Sequence, residues 1–225
     1  DIAYGKPLGT SWHAEDDQGI EPDVRFIAQR LNLSDDRLRP TLLTLDEATL
    51  QKHLLSDNPP DYPHLLAEYL KMPGGDLVLL EGPGNLEEGT LFNLSLPQVA
   101  QILDASVLLV ARFHSLLMVG SLVSAQRRLG SRLIGVLIND IPTDRVEEVT
   151  TIVKPFLEKQ GIPIFGMLPR SALLRSVSVG ELVKQLDAEV LCRPDRMDLM
   201  VESLSIGAMN VNSALKYFRK GDNMA

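Results

Sequence analysis

The sequence has a single cysteine, Cys192, among 225 residues, which excludes an internal disulfide framework and any cysteine-rich metal site. No apolar run approaches the roughly 18 to 20 residues that a bilayer-spanning helix needs. The opening residues, Asp1 to Lys6, lack the basic start and apolar stretch of a secretory signal. The four histidines, His13, His53, His64 and His114, show no H-E-x-x-H-like spacing, so no zinc site is expected. Gly-x-Ser-x-Gly is absent, and Ser11-Trp12-His13 has no acidic orienter, which disfavours a serine hydrolase. Basic residues are in deficit, 22 against 30 acidic ones, for a formal net charge of −8. That balance argues against nucleic acid or an anionic membrane as partner. A reducing, cytoplasmic setting is expected.

What is present is enough for a globular core. Hydrophobic residues make up 44% and charged residues 23%, which suits one large core or one core plus an appendage. No short repeat or low-complexity tract stands out. A strand-then-helix rhythm recurs instead. Leu77–Leu80, Val107–Val110, Leu133–Ile138 and Ile162–Gly166 are short apolar runs spaced about 26 to 30 residues apart, the length of a βαβ unit. Their continuous hydrophobicity predicts strands buried on both faces of a mainly parallel sheet, in an α/β fold with helices on both faces.

Helical patterns fill the intervals. Val24, Ile27 and Leu31 follow Pro22, and Leu116, Val119 and Val123 line a stretch that stops near Gly130. Val146, Val149, Val153 and Phe156 mark a third helix, interrupted by Pro155 and closed at Gly161. Leu182, Val183 and Leu186 mark another after Ser178. Residues 58–61 read as a loop, and Leu65 to Leu70 as a helix. The texture changes after residue 200, so residues 1–200 read as one α/β domain and 201–225 as a linker and the start of a following module. Both ends read as cuts within a longer protein.

Ligands of open parallel sheets sit beyond the strands' carboxyl ends. Those ends carry Gly5-Lys6-Pro7-Leu8-Gly9-Thr10, Glu81-Gly82-Pro83-Gly84-Asn85, Asn139-Asp140 and Leu168-Pro169-Arg170. A strand-end carboxylate suits Mg²⁺ held beside phosphate, glycines admit a close anion, and a turn lysine supplies a point charge. Singly, each has a plainer reading: Lys6 as a surface lysine, Glu81 as a solvated strand end, Gly82 and Gly84 as a turn. Cys192 reads as a structural cysteine, and Arg127, Arg128 and Arg132 as a solvated helix end.

Taken in order, Lys6-Pro7, Glu81-Gly82-Pro83-Gly84, Asn139-Asp140 and Ile164 to Pro169 resemble dethiobiotin-synthetase-type P-loop proteins. More closely, they are similar to the dethiobiotin-synthetase-like amino-terminal domain of long bacterial phosphotransacetylases and its stand-alone relatives. Gly207-Ala208-Met209 with Ala214-Leu215 is similar to the entrance of the DRTGG domain that follows there.

The resemblance implies a nucleotide-binding P-loop fold using ATP or ADP with Mg²⁺. It implies that Asp23 and Glu81 are metal-binding carboxylates. Lys6 and Thr10 would face phosphate or a substrate carboxylate, and Gly82 and Gly84 would form the glycine loop. Asn139 would read adenine, with Pro169 bordering the base. The Walker A motif, G-x-x-x-x-G-K-S/T, occurs nowhere in the chain, and the family carries it on a strand upstream of these residues. Pro83 removes an N–H donor from the glycine loop, and Asn85-Leu86-Glu87-Glu88 adds negative charge, which counts against dethiobiotin synthesis. The expectation is a nucleotide-binding or relict-site regulatory module with a protein partner or a second copy of itself. The alternative is an ATP-dependent carboxylate-activating ligase of the dethiobiotin synthetase or cobyrinate amidase type.

Overall fold

The structure is a computed structural model that describes residues 1–9, 21–72, 75–171, 174 and 176–201. Thr10, the Ser11-Trp12-His13 stretch and the module entrance after residue 201 lie outside the described residues. The first half runs β1 (Ile2–Gly5), β2 (Leu8–Gly9), α1 (Pro22–Leu31), β3 (Leu38–Arg39), β4 (Leu43–Thr44), α2 (Glu47–Leu55), α3 (Tyr62–Ala67) and β5 (Leu77–Leu80). There follow α4 (Leu96–Ile102), β6 (Val107–Arg112), α5 (Met118–Leu129), β7 (Leu133–Ile141), α6 (Val146–Glu148), α7 (Lys154–Lys159) and β8 (Ile164–Pro169). The described part closes with β9 (Val177–Ser178), α8 (Val179–Leu186) and β10 (Met200–Val201).

Each of the four apolar runs contains a strand, the last beginning only at Ile164, and all pair in parallel. One sheet has the order β3-β1-β5 and the other β6-β7-β8, with helices flanking them. A parallel pair β2-β4 and an antiparallel pair β9-β10 complete the strand set among the described residues. Val136 and Ile138 of β7 are fully buried, as the central strand of three should be. Around them pack Val107, Leu122, Leu129, Val149, Val153 and Leu157. A second core gathers Leu8, Leu43, Leu66, Tyr69, Phe92, Leu94 and Val99. Helix α4 joins the two, since Val99 enters one core and its neighbour Ala100 the other.

Burial on both faces is incomplete in all four runs: Ile134 of β7 and Phe165 of β8 are exposed, and the other two runs depart further. Leu77 is 54% exposed, and Val78 and Leu79 are exposed too, because β5 ends its sheet and pairs only with β1. Strand β6 alternates instead: Val107 is buried while Leu108 and Val110 face outward. A continuous apolar run marks a strand but does not say which neighbours cover it.

The helices follow their punctuation with two differences. In α5 the buried stripe is Met118, Leu122, Ala125 and Leu129, one register away from the expected residues, and Gly130 ends the helix at φ +58°. The helix interrupted by Pro155 does not simply kink. Residues Val149–Val153 form a π-helical turn between α6 and α7. Pro155 has no N–H and its ring would press on the carbonyl one α-turn back, so a wider turn ahead of it relieves both problems. Thr150 and Thr151 hydroxyls donate to the Val146 and Glu147 carbonyls at 2.8 Å, satisfying acceptors in the disturbed turn. Cys192 is exposed rather than packed. Among the described residues no helix is long and apolar enough to cross a membrane.

Candidate functional site

Strand β1 delivers Lys6 to the carboxyl edge of its sheet, and Gly5 sets how closely the neighbours approach. A Cβ on Gly5 would lie 2.3 Å from the Arg39 Cβ of β3, so no larger residue fits without spreading the strands. On the other side, the Glu81 N–H donates to the Gly5 carbonyl at 2.9 Å, extending the ladder by one residue. This bond brings Glu81 alongside Lys6.

Lys6 is no surface lysine; it is 3% exposed. Its Nζ lies 2.8 Å from Glu21 Oε1 and 3.4 Å from Glu81 Oε1, and it donates to Asp23 Oδ2. Tyr4 donates its hydroxyl to Glu81 Oε2 at 2.7 Å. Burial pulls the Lys6 ammonium toward its neutral form. Hydrogen bonds to Asp23 and Glu21 and the charge of Glu81 outweigh burial, raise its pKa and keep the lysine charged. The Tyr4 phenol is also raised, first by burial, then by its bond to Glu81 and the surrounding negative charge.

Glu21 is the residue that sequence reasoning missed. It is 2% exposed and its two oxygens divide the work. Oε1 holds Lys6, while Oε2 accepts from the Asp23 and Val24 N–H groups at 2.8 and 3.2 Å, capping α1. Pro22 at the first helical position carried the signal: the residue before it stands at the cap, although glutamate is not a favoured cap type. Asp23, in the first turn, complements the positive end of α1.

Gly82 and Gly84 lie on the loop that leaves β5. The Gly84 N–H donates to Glu88 Oε2 at 2.8 Å, and Asn85 Nδ2 donates to Glu88 Oε1 at 2.8 Å. The Glu87 and Glu88 N–H groups return to Asn85 Oδ1 at 2.9 and 3.0 Å. Glu87 also pairs with Arg128 of α5, tying this loop to the second sheet's helices.

Asn139 and Pro169 line a cavity of about 310 Å³ at the carboxyl ends of β6, β7 and β8, together with Val110, Arg112, Asp140 and Arg170. None of the lysine cluster's residues lines it, so the structure gathers the expected residues in two places. Lys6, Asp23 and Glu81 meet directly, while Asn139 and Pro169 stand at the other sheet. Asn139 Oδ1 accepts from the Asp140 N–H at 2.8 Å. Asp140 sits at φ +58°, and its carboxylate is bridged by Arg112 Nε and Arg170 Nε, both at 2.9 Å. The bond from Arg170, and then that from Arg112, holds its carboxyl below the usual range. A wider hollow of about 510 Å³, lined by Asp104, Arg127, Arg128 and Arg132, lies at the opposite ends of the strands. Arg132 pairs with Asp104 there at 2.8 Å, as a solvated helix end would.

Among the described residues, no three His, Cys, Asp or Glu side chains form a closed metal cage. Asp23 and Glu81 are hard oxygen donors with 56% and 44% of their side chains exposed. Such a pair fits Mg²⁺, which is commonly held by one or two carboxylates and completed by water or phosphate oxygens.

Parallel sheets flanked by helices, with a buried lysine and carboxylates at one set of strand ends, define a P-loop NTPase-like α/β domain. The chain belongs to the AAA domain family AAA_26, the dethiobiotin-synthetase-like P-loop group, whose model matches residues 1–178; the DRTGG domain matches residues 181–224. It is also similar to a phosphate acetyltransferase of Synechocystis sp., 24% identical over 168 residues, covering 71% of this chain. The matched part spans 24% of that protein. The chain is thus a module related to nucleotide-binding P-loop domains.

Proposed function

We propose that this chain is a cytoplasmic nucleotide-binding regulatory module, whose bound state is read by a protein partner or a second copy through its DRTGG segment. The observation that carries the reading is the buried Lys6 ammonium among Glu21, Asp23 and Glu81 at the carboxyl ends of β1 and β5. Keeping a lysine so deeply buried and charged needs a committed set of partners, which solvated strand ends do not require. The ligand in this reading is ATP or ADP with Mg²⁺. Asp23 and Glu81 hold the cation, and Lys6, with Thr10 on the same segment, faces phosphate oxygens. The Gly82–Gly84 loop borders them. Asn139 and Pro169 receive the base in a cavity whose volume, about 310 Å³, lies within the range of small-molecule sites. Bound Mg²⁺ would supply charge neutralisation beside the phosphates.

The second reading is an ATP-dependent carboxylate-activating ligase, favoured by the presence of Lys6, Asp23 and Glu81 together. Two features of the glycine loop weigh against it. Pro83 offers no N–H, and the Gly84 N–H is already engaged by Glu88, so the loop has little left for an acyl phosphate's oxygens. Calorimetric titration of the full-length protein with ATP and ADP, with and without MgCl₂, tests the regulatory reading. Mg²⁺-dependent heat without phosphate release is the expected result. No binding at millimolar nucleotide overturns it, and phosphate release that depends on an added carboxylic acid moves the assignment to the ligase.

A further inference from the structure

Glu21, Asp23 and Glu81 bring three carboxylates to the single ammonium of the 3%-exposed Lys6, so these four groups together carry a formal charge of −2. The three do not hold it alike. Glu21 is itself buried and pinned, because its second oxygen caps α1. Asp23 and Glu81 are each about half open to solvent. Glu81 is further steadied by the Tyr4 hydroxyl, which leaves its position set without Lys6. The ammonium therefore has one permanent partner and two that also face outward.

We propose that Lys6 is a tethered counter-cation: it bridges Asp23 and Glu81 until a divalent cation takes those two carboxylates, and Glu21 retains the lysine thereafter. This rests on the reading of Asp23 and Glu81 as the cation's ligands. Like charges a few ångströms apart repel strongly in a partly buried site, so the ammonium and a divalent ion do not share both carboxylates at full strength. The metal-free protein then keeps its carboxylates neutralised and its geometry fixed. Exchange also leaves Lys6 beside the cation, where an anionic ligand held by that cation meets a second positive charge. Free divalent cation alone binds weakly in consequence.

Mn²⁺ binding without nucleotide, followed by electron paramagnetic resonance in the full-length protein and in Lys6→Met, tests the exchange. The variant is expected to bind Mn²⁺ at least about tenfold more tightly than wild type, a difference of about 1.4 kcal/mol. Its melting temperature is expected to rise with MgCl₂ at concentrations that leave the wild type unmoved. Equal affinities, or tighter binding by the wild type, overturn the proposal. Should Lys6→Met fold only when MgCl₂ is present, the exchange is supported directly. Should it not fold at all, the ¹⁵N signal of the wild-type Lys6 ammonium decides. A shift on saturation with diamagnetic Mg²⁺ supports exchange, and an unmoved signal at saturation excludes it. Nucleotide is absent throughout, so failure here and failure of nucleotide binding are separate results.

Discussion

The Gly84 N–H donates to Glu88 Oε2 at 2.8 Å, so the glycine loop carries its own anion. In a loop expected to cradle phosphate or carboxylate, that donor is occupied by a side chain four residues on. Glu88→Gln keeps an acceptor for Gly84 and removes the charge. We expect Mg²⁺-nucleotide affinity to rise in Glu88→Gln, while stability falls by about 1 kcal/mol, the size of one altered hydrogen bond. Calorimetry beside thermal melts reads both. Unchanged affinity would place the Gly84 donor outside the ligand's reach.

Glu21 predicts a different balance. Its removal takes away the α1 cap and leaves Lys6 short of its most buried partner, so Glu21→Ala is expected to destabilise by roughly 3 to 5 kcal/mol. Glu21→Gln keeps the side-chain volume and one acceptor oxygen, which can cap α1 while the amide group faces Lys6, and is expected to cost less than Glu21→Ala. Denaturant unfolding of the two variants gives the comparison. Equal losses would mean that the charge carries the whole effect and that the cap and side-chain volume add nothing.

Much of this was legible in the sequence, for local reasons. Parallel strands followed from short apolar runs at βαβ spacing, and Lys6, Asp23 and Glu81 stand where strand ends and the first helical turn put them. What escaped depends on pairing across distant segments. The exposure of Leu77 and Val110 is set by which strands neighbour β5 and β6, which no run of residues encodes. The Arg112–Asp140–Arg170 bridge unites three strand ends, and no one of those residues signals it alone. Pro155 announced an interruption, but whether a helix kinks or widens there depends on the Thr150 and Thr151 hydroxyls and on the packing of Val149 and Val153.

Glu81 is expected to matter for the ligand more than for the fold. Glu81→Gln keeps an acceptor for Tyr4 and the volume at the end of β5, and removes a charge 3.4 Å from Lys6. The cost in apo stability should be about 1 kcal/mol, the size of one altered hydrogen bond. Mg²⁺-dependent nucleotide affinity should fall well below that of wild type, while metal-free affinity changes little. A large loss of apo stability with unchanged Mg²⁺-nucleotide affinity would recast Glu81 as a structural partner of Tyr4 and Lys6.

Asp140 carries a pH dependence whose sign follows from its two arginines. Its folded-state pKa is depressed, chiefly by the bond from Arg170 and also by that from Arg112. A depressed carboxylate contributes stability that is fully present above the unfolded carboxyl value of about 3.9 and is lost as pH falls through the lower folded value. Asp140→Asn keeps a residue type that tolerates φ +58° but carries no charge to titrate. The wild type should therefore melt higher than Asp140→Asn at pH above about 5, with the gap narrowing below about pH 4. Because the arginines span β6 and β8, the same variant should loosen the cavity bordered by Asn139 and Pro169 and weaken any base bound there. Thermal melts of both proteins between about pH 2.5 and 7 make the check. A gap that stays constant across that range would show that the bridge stabilises through geometry alone and that Asp140 does not titrate with folding.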